Sequence, residues 1–448
     1  MKEYHLKRGL DLPIEGQPIQ QLKTAPDVRA VGLLGDDYLG LKPRLAVEEG
    51  DRVGAGAPIF AHKDTPTAPV TTPISGRIAQ INRGFRRRLV SVVVERDDTA
   101  PEPLRFDRVG NDNTSAGVIE KLCAAGLWSS FRTRPYSKVP DPASRPAALF
   151  VTALDTEPLA PDPTIAIESG ADAFARGLHA VAALYDVPTY LCQAPGERLP
   201  GGDAPGVTPV GFSGPHPAGL AGTHIHFLHP PSAEHPVWTV GYQDVIAIGH
   251  LLTTGTLRAE RVVALGGPLV KSPRLIRTLA GASLRDVLRG EYDDSVSTRL
   301  ISGSVLSGRA SRDGEAQYLG RYAQQITVIE EDRQQNVLGW IRPMPSKYAV
   351  QPVLGSALSK KRFPLTSNLN GGRRAMVPLG TFEELMPQDF LPTQLLRALL
   401  VMDTDVAQAL GALELDEEDV ALAGFACPAK YEYGLALRDC LTRIEKEG

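Results

Sequence analysis

The sequence contains little cysteine, no long apolar helix and no glycine-rich phosphate-binding motif. Its four cysteines stand far apart without a CxxC pair, which excludes an iron–sulfur cluster and argues against a disulfide framework. The longest stretch without Asp, Glu, Lys or Arg, residues 204–233, contains six prolines, so it cannot cross a bilayer as one helix. The first residues lack the apolar core of a secretory signal. These absences predict a cytoplasmic protein without a membrane span.

Charge and length narrow the class of protein further. Lysine plus arginine number 48 against 52 for aspartate plus glutamate, and the net charge of -4 argues against nucleic acid as the main partner. A chain of 448 residues is several times longer than a common domain, so it predicts two to four domains. Its 43 glycines and 37 prolines predict many turns and long connections.

Residues 1–105 predict short β-strands separated by glycine turns. Strand–turn–strand patterns surround Gly50 and Gly76, and residues 89–95 are mostly β-branched. Two glycine-turned strand pairs of this kind resemble the biotinyl/lipoyl-type barrel-sandwich domain. Lys63 stands about where carrier domains have their modified lysine, but its neighbours match neither acceptor context. A fold reused as a scaffold is therefore favoured over a carrier.

Residues 112–257 change to an α/β pattern. The continuous apolar run 147–154 predicts a parallel strand covered on both faces, and residues 187–192 predict a second strand. Between them, apolar residues recur at helical spacing over Phe174–Tyr185. This strand–helix–strand series predicts a Rossmann-like sheet.

The rest of the chain predicts a small α+β domain over residues 258–335 and a helical region over residues 336–448. The clearest helices are expected at 394–402 and 405–410. Residues 411–448 carry nine acidic and four basic side chains. Such an excess indicates either a docking surface or a solvated helical face, and the solvated face is favoured.

The α/β region lacks the residues that hold a dinucleotide. A pyrophosphate needs glycines where the first strand meets the first helix. Here the strand that ends at Leu154 is followed by Asp155, Glu157 and three prolines up to Pro163, which would repel and block a phosphate. Neither GxGxxG nor a Walker motif occurs at a strand–helix junction. We therefore expect a sheet without a nucleotide.

Five of the nine histidines lie close together in the sequence. They are His216, His224, His226, His229 and His235. His224 and His226 stand two apart on a predicted strand, hence on one face, which is an acceptable chelating geometry. However, neither a cysteine nor an HExxH helix accompanies them. Histidines that bond the backbone of a proline-rich loop are therefore favoured over a metal site.

Two basic segments have no assigned partner. Residues 83–88 combine four arginines with Phe85, and a solvated hairpin is the favoured interpretation. Residues 131–138 alternate cations with aromatic side chains, and Arg132 and Arg134 would point the same way from a strand. Such a surface suits an acidic protein partner or a polar aromatic head group, and a structural role is equally open.

Nine phrases of the sequence together resemble one family. They are Lys7–Ile14, Gly35–Pro43, Gly126–Lys138, Gly214–His226, Tyr242–Gly249, Gly266–Val270, Arg397–Asp405, Leu413–Asp419 and Cys427–Gly434. They span nearly the whole chain, in order, and none of them is a general motif. By this resemblance the chain is identified as a member of the A-subunit family of the bacterial sodium-translocating NADH:quinone oxidoreductase (Na+-NQR).

The resemblance implies a peripheral subunit on the cytoplasmic face of the inner membrane, in a translocase of six subunits. That complex oxidises NADH, reduces ubiquinone to ubiquinol and exports Na⁺. FAD, FMN, riboflavin and the Fe-S centre belong to other subunits. The partners are the five other subunits, above all the membrane subunits with covalent flavin. The resemblance also implies kinship with the NADH-binding subunit of respiratory complex I, and hence a β-grasp (SLBB) fold for the third domain.

For this chain the resemblance implies no catalytic residue, no site for NAD, FMN, Fe-S or a metal, and ubiquinone as a candidate ligand. A quinone head group needs donors for its carbonyls and a flat apolar neighbour. We place a quinone site or its rim at Gly35–Lys42 and Phe131–Lys138; the competing explanation is that both segments grip neighbouring subunits. The candidate residues are Tyr38, Lys42, Phe131, Arg132, Arg134, Tyr136 and Lys138.

Three other functions remain open at lower rank. The α/β region suggests a stand-alone soluble NAD or flavin dehydrogenase, which the missing glycine loop disfavours. A carrier would hold a lipoyl or biotinyl group on Lys63. A zinc hydrolase would use the histidine run.

Overall fold

The computed structural model describes residues 1–24, 26–311, 314–334, 347–350 and 361–447. In these residues the first two strands do not pair with each other. They are β1 (Lys2–His5) and β2 (Ile19–Thr24). β1 joins the sheet of the α/β region and β2 joins the sheet of the third region. The first 24 residues therefore tie together two parts of the chain that follow much later.

Residues 30–96 form two small antiparallel sheets that share one apolar core. Their strands are β3 (Ala30–Leu34), β4 (Pro43–Leu45), β5 (Arg52–Val53), β6 (Pro58–His62), β7 (Thr65–Thr71), β8 (Gly76–Arg83) and β9 (Leu89–Arg96). One sheet has the order β3-β9-β8-β5 and the other β4-β6-β7. Alternate side chains such as Phe60, Ile78 and Val92 fill the core between them. Lys63 lies in the turn between β6 and β7, as predicted.

The α/β region has one six-stranded sheet with apolar cores on both faces. Its elements are α1 (Ser115–Ala124), β10 (Arg132–Arg134), β11 (Leu149–Thr152), α2 (Pro163–Glu168), α3 (Ala171–Ala182), β12 (Thr189–Gln193), β13 (Val207–Ser213), α4 (Ala221–Leu228), β14 (Val237–Gly241) and α5 (Tyr242–Thr254). The order is β1-β13-β12-β11-β14-β10, and only β10 runs antiparallel to its neighbour. Along β11, Val151 packs on the face of α3 and α5, whereas Phe150 packs on the face of α4. The predicted double coverage of this strand is thus present.

Two helices on one face of this sheet approach each other very closely. Gly177 of α3 and Gly249 of α5 face each other's backbones, so that a Cβ at Gly249 would overlap the carbonyl oxygen of Ala173. The buried stripe Phe174, Leu178 and Val181 of α3 follows the helical spacing expected from the sequence.

The third region contributes a second six-stranded sheet. Its elements are β15 (Glu260–Gly266), β16 (Arg274–Leu279), α6 (Leu284–Val287), β17 (Thr298–Ser302), β18 (Arg309–Ser311) and β19 (Gln325–Glu330). The order is β18-β17-β19-β15-β16-β2. Val263, Leu265 and Ile326 belong to the same apolar core as the two N-terminal sheets, so these two parts of the chain pack directly together.

The C-terminal region is mainly helical from Thr381 onward, whereas the described residues 347–350 and 361–380 form no helix. Its helices are α7 (Thr381–Leu385), α8 (Pro392–Val401), α9 (Thr404–Ala409), α10 (Glu417–Ala426) and α11 (Tyr433–Glu447). α8 and α9 lie where the sequence predicts helices at 394–402 and 405–410. Within the described ranges, each helix is too short or too polar to cross a membrane. The domain boundaries predicted at residues 105, 112, 257 and 335 stay predictions.

Candidate functional site

A polar crevice of about 180 Å³ opens at the carboxyl ends of β11 and β14. The chain order reverses at this point of the sheet, because β12 and β13 lie on one side of β11 and β14 lies on the other. In open α/β sheets this is where ligands bind. The third and C-terminal regions complete the walls. The polar lining includes Ser130, Arg132, Asp155, Glu157, Tyr242, Asp244, Ser304, Ser307, Tyr322 and Glu418.

Two carboxyl groups directly follow β11 in the crevice. Burial, reinforced by the nearby Glu157, raises the pKa of Asp155 to about 8. Burial also raises the pKa of Glu157, although hydrogen bonds from Ser304 and Ser307 to its carboxylate oppose the rise. A dinucleotide at this point would bring its phosphates against both carboxyl groups. The geometry therefore opposes a pyrophosphate where the fold usually holds one.

Another part of the crevice wall offers hydrogen-bond donors and a flat ring. The hydroxyl of Tyr242, in the first turn of α5, is buried and has no hydrogen-bond partner in the described residues. The Arg132 guanidinium lies 4.7 Å from the ring centroid of Tyr322. The Tyr322 hydroxyl donates to the Ser129 carbonyl at 2.8 Å, which fixes the ring. This wall can hold a planar ligand whose carbonyl groups accept hydrogen bonds.

Next to the crevice, basic side chains of residues 132–134 meet the acidic start of α10. Arg134 is fully buried, and its Nη2 lies 3.2 Å from an Asp416 carboxylate oxygen and 3.3 Å from one of Glu418. Arg132 Nη1 lies 3.5 Å from the same Asp416 oxygen. We call this group, with Arg438, Glu417 and Asp419, the arginine–acid cluster. Arg132 and Arg134 thus point the same way from β10, as predicted.

Charge pairing controls ionisation within the arginine–acid cluster. Burial opposes ionisation of Asp416, but the neighbouring guanidinium groups, Arg134 foremost, hold the pKa of its carboxyl well below the usual range. Arg438 of α11 donates a 2.6 Å hydrogen bond to Asp416. The acids also stand at a helix N-terminus, where the helix dipole favours negative charge. The predicted acidic excess of residues 411–448 therefore serves in part as an internal partner for the basic segment.

The two segments predicted from sequence to form a quinone site lie side by side. A Cβ at Gly40 would lie 3.0 Å from Lys138 Cε, so residues 35–42 and 131–138 touch. Tyr38 is buried and meets the Phe60 ring edge-on at 5.6 Å. Lys42 is exposed.

The remaining candidates of the second segment are mostly engaged within the chain. Phe131 is fully buried beside Trp128 and Trp238. Lys138 Nζ lies 2.6 Å from Glu445. The carbonyl of Tyr136 accepts a hydrogen bond from Arg438. Of the seven candidates, only Arg132 lines the crevice. Their role as a quinone site stays a prediction.

Tyr38 lines a second, smaller cavity of about 70 Å³. Consecutive residues connect the two cavities, since Ser129 and Arg321 line the smaller one and Ser130 and Tyr322 line the crevice. Sequence reasoning missed Tyr242 and Tyr322 because neither belongs to a charged or motif-like segment. The position of Tyr242 immediately after β14 was the available signal.

The prediction that His224 and His226 share a strand face was wrong: both lie in α4. His224 packs on Phe212 with ring centroids 4.4 Å apart, and its Nε2 lies 3.0 Å from the Ala218 carbonyl. His226 Nδ1 instead lies 2.8 Å from a Glu414 carboxylate oxygen. Burial lowers the pKa of His224 to about 4. Among the described residues there is no cluster of three or more potential metal ligands.

Comparison with known sequence families accounts for three of the four regions. Residues 4–97 match the NqrA N-terminal barrel-sandwich hybrid domain. Residues 113–257 match the NqrA second alpha/beta domain, and residues 262–313 match the NQRA C-terminal domain of the SLBB type. The predicted fold class is confirmed by these matches together with the sheets and helices described above.

Several relatives match over almost the full length of the chain. Each is named as the A-subunit of a Na(+)-translocating NADH-quinone reductase. The protein of Rhodopirellula baltica is 50% identical over 99% of this chain and 98% of its own length. Those of Klebsiella pneumoniae and Pseudomonas aeruginosa are each 50% identical over 99% of both chains.

A structural match to the crystal structure of an NAD+-reducing [NiFe]-hydrogenase covers 75% of this chain and 62% of that chain. Its sequence identity is 12% and its TM-score is 0.40, so this likeness supports no inference. The relatives are decisive instead, since they are about 50% identical over 99% of the chain. The chain therefore belongs to the A-subunit (NqrA) family of the Na+-translocating NADH-quinone reductase.

Proposed function

We propose that this chain is a peripheral, cytoplasmic-side subunit of a membrane complex that oxidises NADH, reduces quinone and exports Na⁺. Within that complex it holds neighbouring subunits in place and contributes to the quinone site. Nucleotide, flavin and iron–sulfur chemistry then belong to other subunits, including the membrane subunits with covalent flavin. The full-length relatives, each named as the A-subunit of such a reductase, support the assignment to the complex.

The crevice is the observation that supports assigning the nucleotide chemistry to other subunits. It occupies the usual dinucleotide position of an α/β sheet, yet Asp155 and Glu157 face the place of the phosphates. Three prolines between β11 and α3 also remove backbone N–H donors that a phosphate would need. The six-stranded sheet then serves as a structural support for the partner subunits.

We expect the purified full chain to show no saturable binding of NADH or FMN up to about 1 mM. The reason is that the crevice presents two carboxyl groups and a proline-rich turn in place of the backbone N–H donors that a phosphate needs. This property does not depend on the other subunits. Isothermal titration calorimetry on the folded chain measures this directly. A dissociation constant of about 10 μM or lower for either compound would contradict the proposal and favour a stand-alone dehydrogenase.

The part of the crevice wall that contains Tyr242 and Tyr322 supports a quinone contribution. The unpaired Tyr242 hydroxyl can donate to a quinone carbonyl, and Arg132 provides a second donor beside the Tyr322 ring. The segments 35–42 and 131–138 form or adjoin the walls of the crevice and of the smaller cavity. Because residues 131–138 already bind α10 and α11 of the same chain, gripping a neighbouring subunit is the weaker explanation for that segment.

In the assembled complex, Tyr242→Phe is expected to raise the KM for quinone about 5- to 10-fold, because one donor to the head group is lost. The subunit composition and the reduction of an artificial acceptor by NADH should stay unchanged. Tyr185→Phe is the matched control, since the Tyr185 hydroxyl donates to the Ser144 carbonyl outside the crevice. Equal effects of both substitutions, or none, would remove the crevice from the quinone site; loss of subunits would point to a scaffold role alone.

A further inference from the structure

The hairpin between β8 and β9 ends in an exposed tip, Arg83–Arg88, which we call the basic tip. Phe85 is 85% exposed, the largest fraction among the large apolar side chains in the described residues. It stands between Gly84 and three consecutive arginines. A ring in this position contributes nothing to the core of the hairpin. It is available to a partner.

The arginines of the basic tip are mostly unneutralised. All four are exposed, and within the described chain the single carboxylate paired with them is Asp36, 3.3 Å from Arg88. The Arg83 side chain donates to the Arg87 carbonyl. The Arg86 guanidinium lies 5.2 Å from the Phe85 ring centroid. The tip therefore presents one aromatic ring within a concentrated positive charge.

The backbone holds this arrangement in an unusual conformation. Arg86 and Arg87 have φ angles of 55° and 61°, in the left-handed region that disfavours residues with a Cβ. Backbone hydrogen bonds close the turn: the Gly84 N–H donates to the Arg88 carbonyl at 2.8 Å, and the Arg87 N–H donates to the Gly84 carbonyl at 3.0 Å. Glycine or asparagine would adopt this turn with less strain.

We propose that the basic tip docks on an anionic phospholipid surface, with the arginines at lipid phosphates and the Phe85 ring among the head groups. A convex tip of six residues is too small for a stable protein interface, which buries about 800 Å² on each partner. An interfacial anchor needs only an inserted apolar ring and several cations. The inference rests on the proposed function only for the presence of a membrane beside the chain.

Flotation of the full chain with lipid vesicles tests the proposal. We expect binding to vesicles of phosphatidylcholine with about one-third phosphatidylglycerol, weaker binding at high salt, and none to pure phosphatidylcholine. Each arginine near an anionic surface contributes about fivefold to the partition coefficient, so Arg86→Gln combined with Arg87→Gln should lower it roughly 25-fold. Phe85→Ser should also weaken binding without changing its salt dependence.

Arg373→Gln combined with Arg374→Gln is the matched control, because it removes the same charge from two exposed neighbouring arginines elsewhere. It should have much less effect. A Phe85→Trp variant should show a blue-shifted emission component on anionic vesicles that the unsubstituted chain, with its three tryptophans, does not show.

Absence of vesicle binding by the folded chain would overturn the proposal, as would equal losses from the tip and control pairs. Tip variants that bind vesicles normally but no longer assemble with the other subunits would assign the tip to an acidic protein instead. The quinone KM is measured separately with Tyr242→Phe, so failure of that proposal is distinguishable from failure of this one.

Discussion

Replacing Arg134 by alanine is expected to destabilise the packing of α10 by about 3 to 5 kcal/mol. The substitution removes the fully buried cation beside Asp416 and Glu418. Because Arg132 and Arg438 still neutralise part of this charge, the loss should lie at the lower end of that range, which is typical of a buried pair that loses one partner. Native-state hydrogen exchange of the α10 amides measures the loss. Their protection should fall at least about 100-fold.

Arg443→Ala is the control for this substitution. Arg443 pairs with Glu447 on the exposed side of α11, and such an exposed pair contributes little to stability because solvent screens it. A loss of protection below about fivefold for Arg134→Ala would show that the arginine–acid cluster does not hold the C-terminal helices. Because Arg134 is fully buried, the same substitution cannot serve as a test of quinone binding.

Gly249→Ala should destabilise the α/β region by about 2 to 3 kcal/mol, although alanine favours helices. The new Cβ overlaps the Ala173 carbonyl oxygen, so α3 and α5 must separate, and overpacking of this kind outweighs the gain in helix propensity. The midpoint of urea unfolding followed by tryptophan fluorescence reports the change, since Trp128 and Trp238 lie in this core.

Gly424→Ala in α10 provides a control with the opposite sign. A Cβ there finds only the Tyr431 carbonyl oxygen at 3.8 Å, so the substitution should stabilise the chain by about 0.5 to 1 kcal/mol. If both substitutions changed stability in the same direction, the close approach of α3 and α5 would not be limiting.

Local patterns determined which elements could be predicted. The helix α3 and the strands β9, β11 and β12 lie where apolar spacing places them, because each forms its core contacts at its own period. α4 was mistaken for a strand because its histidines alternate with other residues over a short, β-branched stretch. Packing against the sheet decides whether such a short segment forms a helix or a strand, and this packing is not visible in the local pattern.

The sequence indicated the basic and the acidic segment of the candidate site separately, but not that the two segments meet. The basic alternation of residues 131–138 and the acidic phrase at 413–419 were both evident, but Arg134 and Glu418 are 284 residues apart, and no periodicity links them. The crevice combines three regions of the chain for the same reason. The absence of phosphate-binding glycines after Leu154 is visible in the local sequence. It was the one local signal that the sheet does not hold a nucleotide.

The placement of β1 and β2 has a consequence for biosynthesis. β1 pairs with β13 and β2 pairs with β16, so both N-terminal strands are synthesised long before their partner strands. About 250 residues separate β2 from β16, and at about 5–20 residues per second their translation takes roughly 13 to 50 s. Throughout this interval β2 has no partner strand, and β1 has none until β13 has been synthesised. The two six-stranded sheets can therefore be completed only after more than half of the chain has been synthesised.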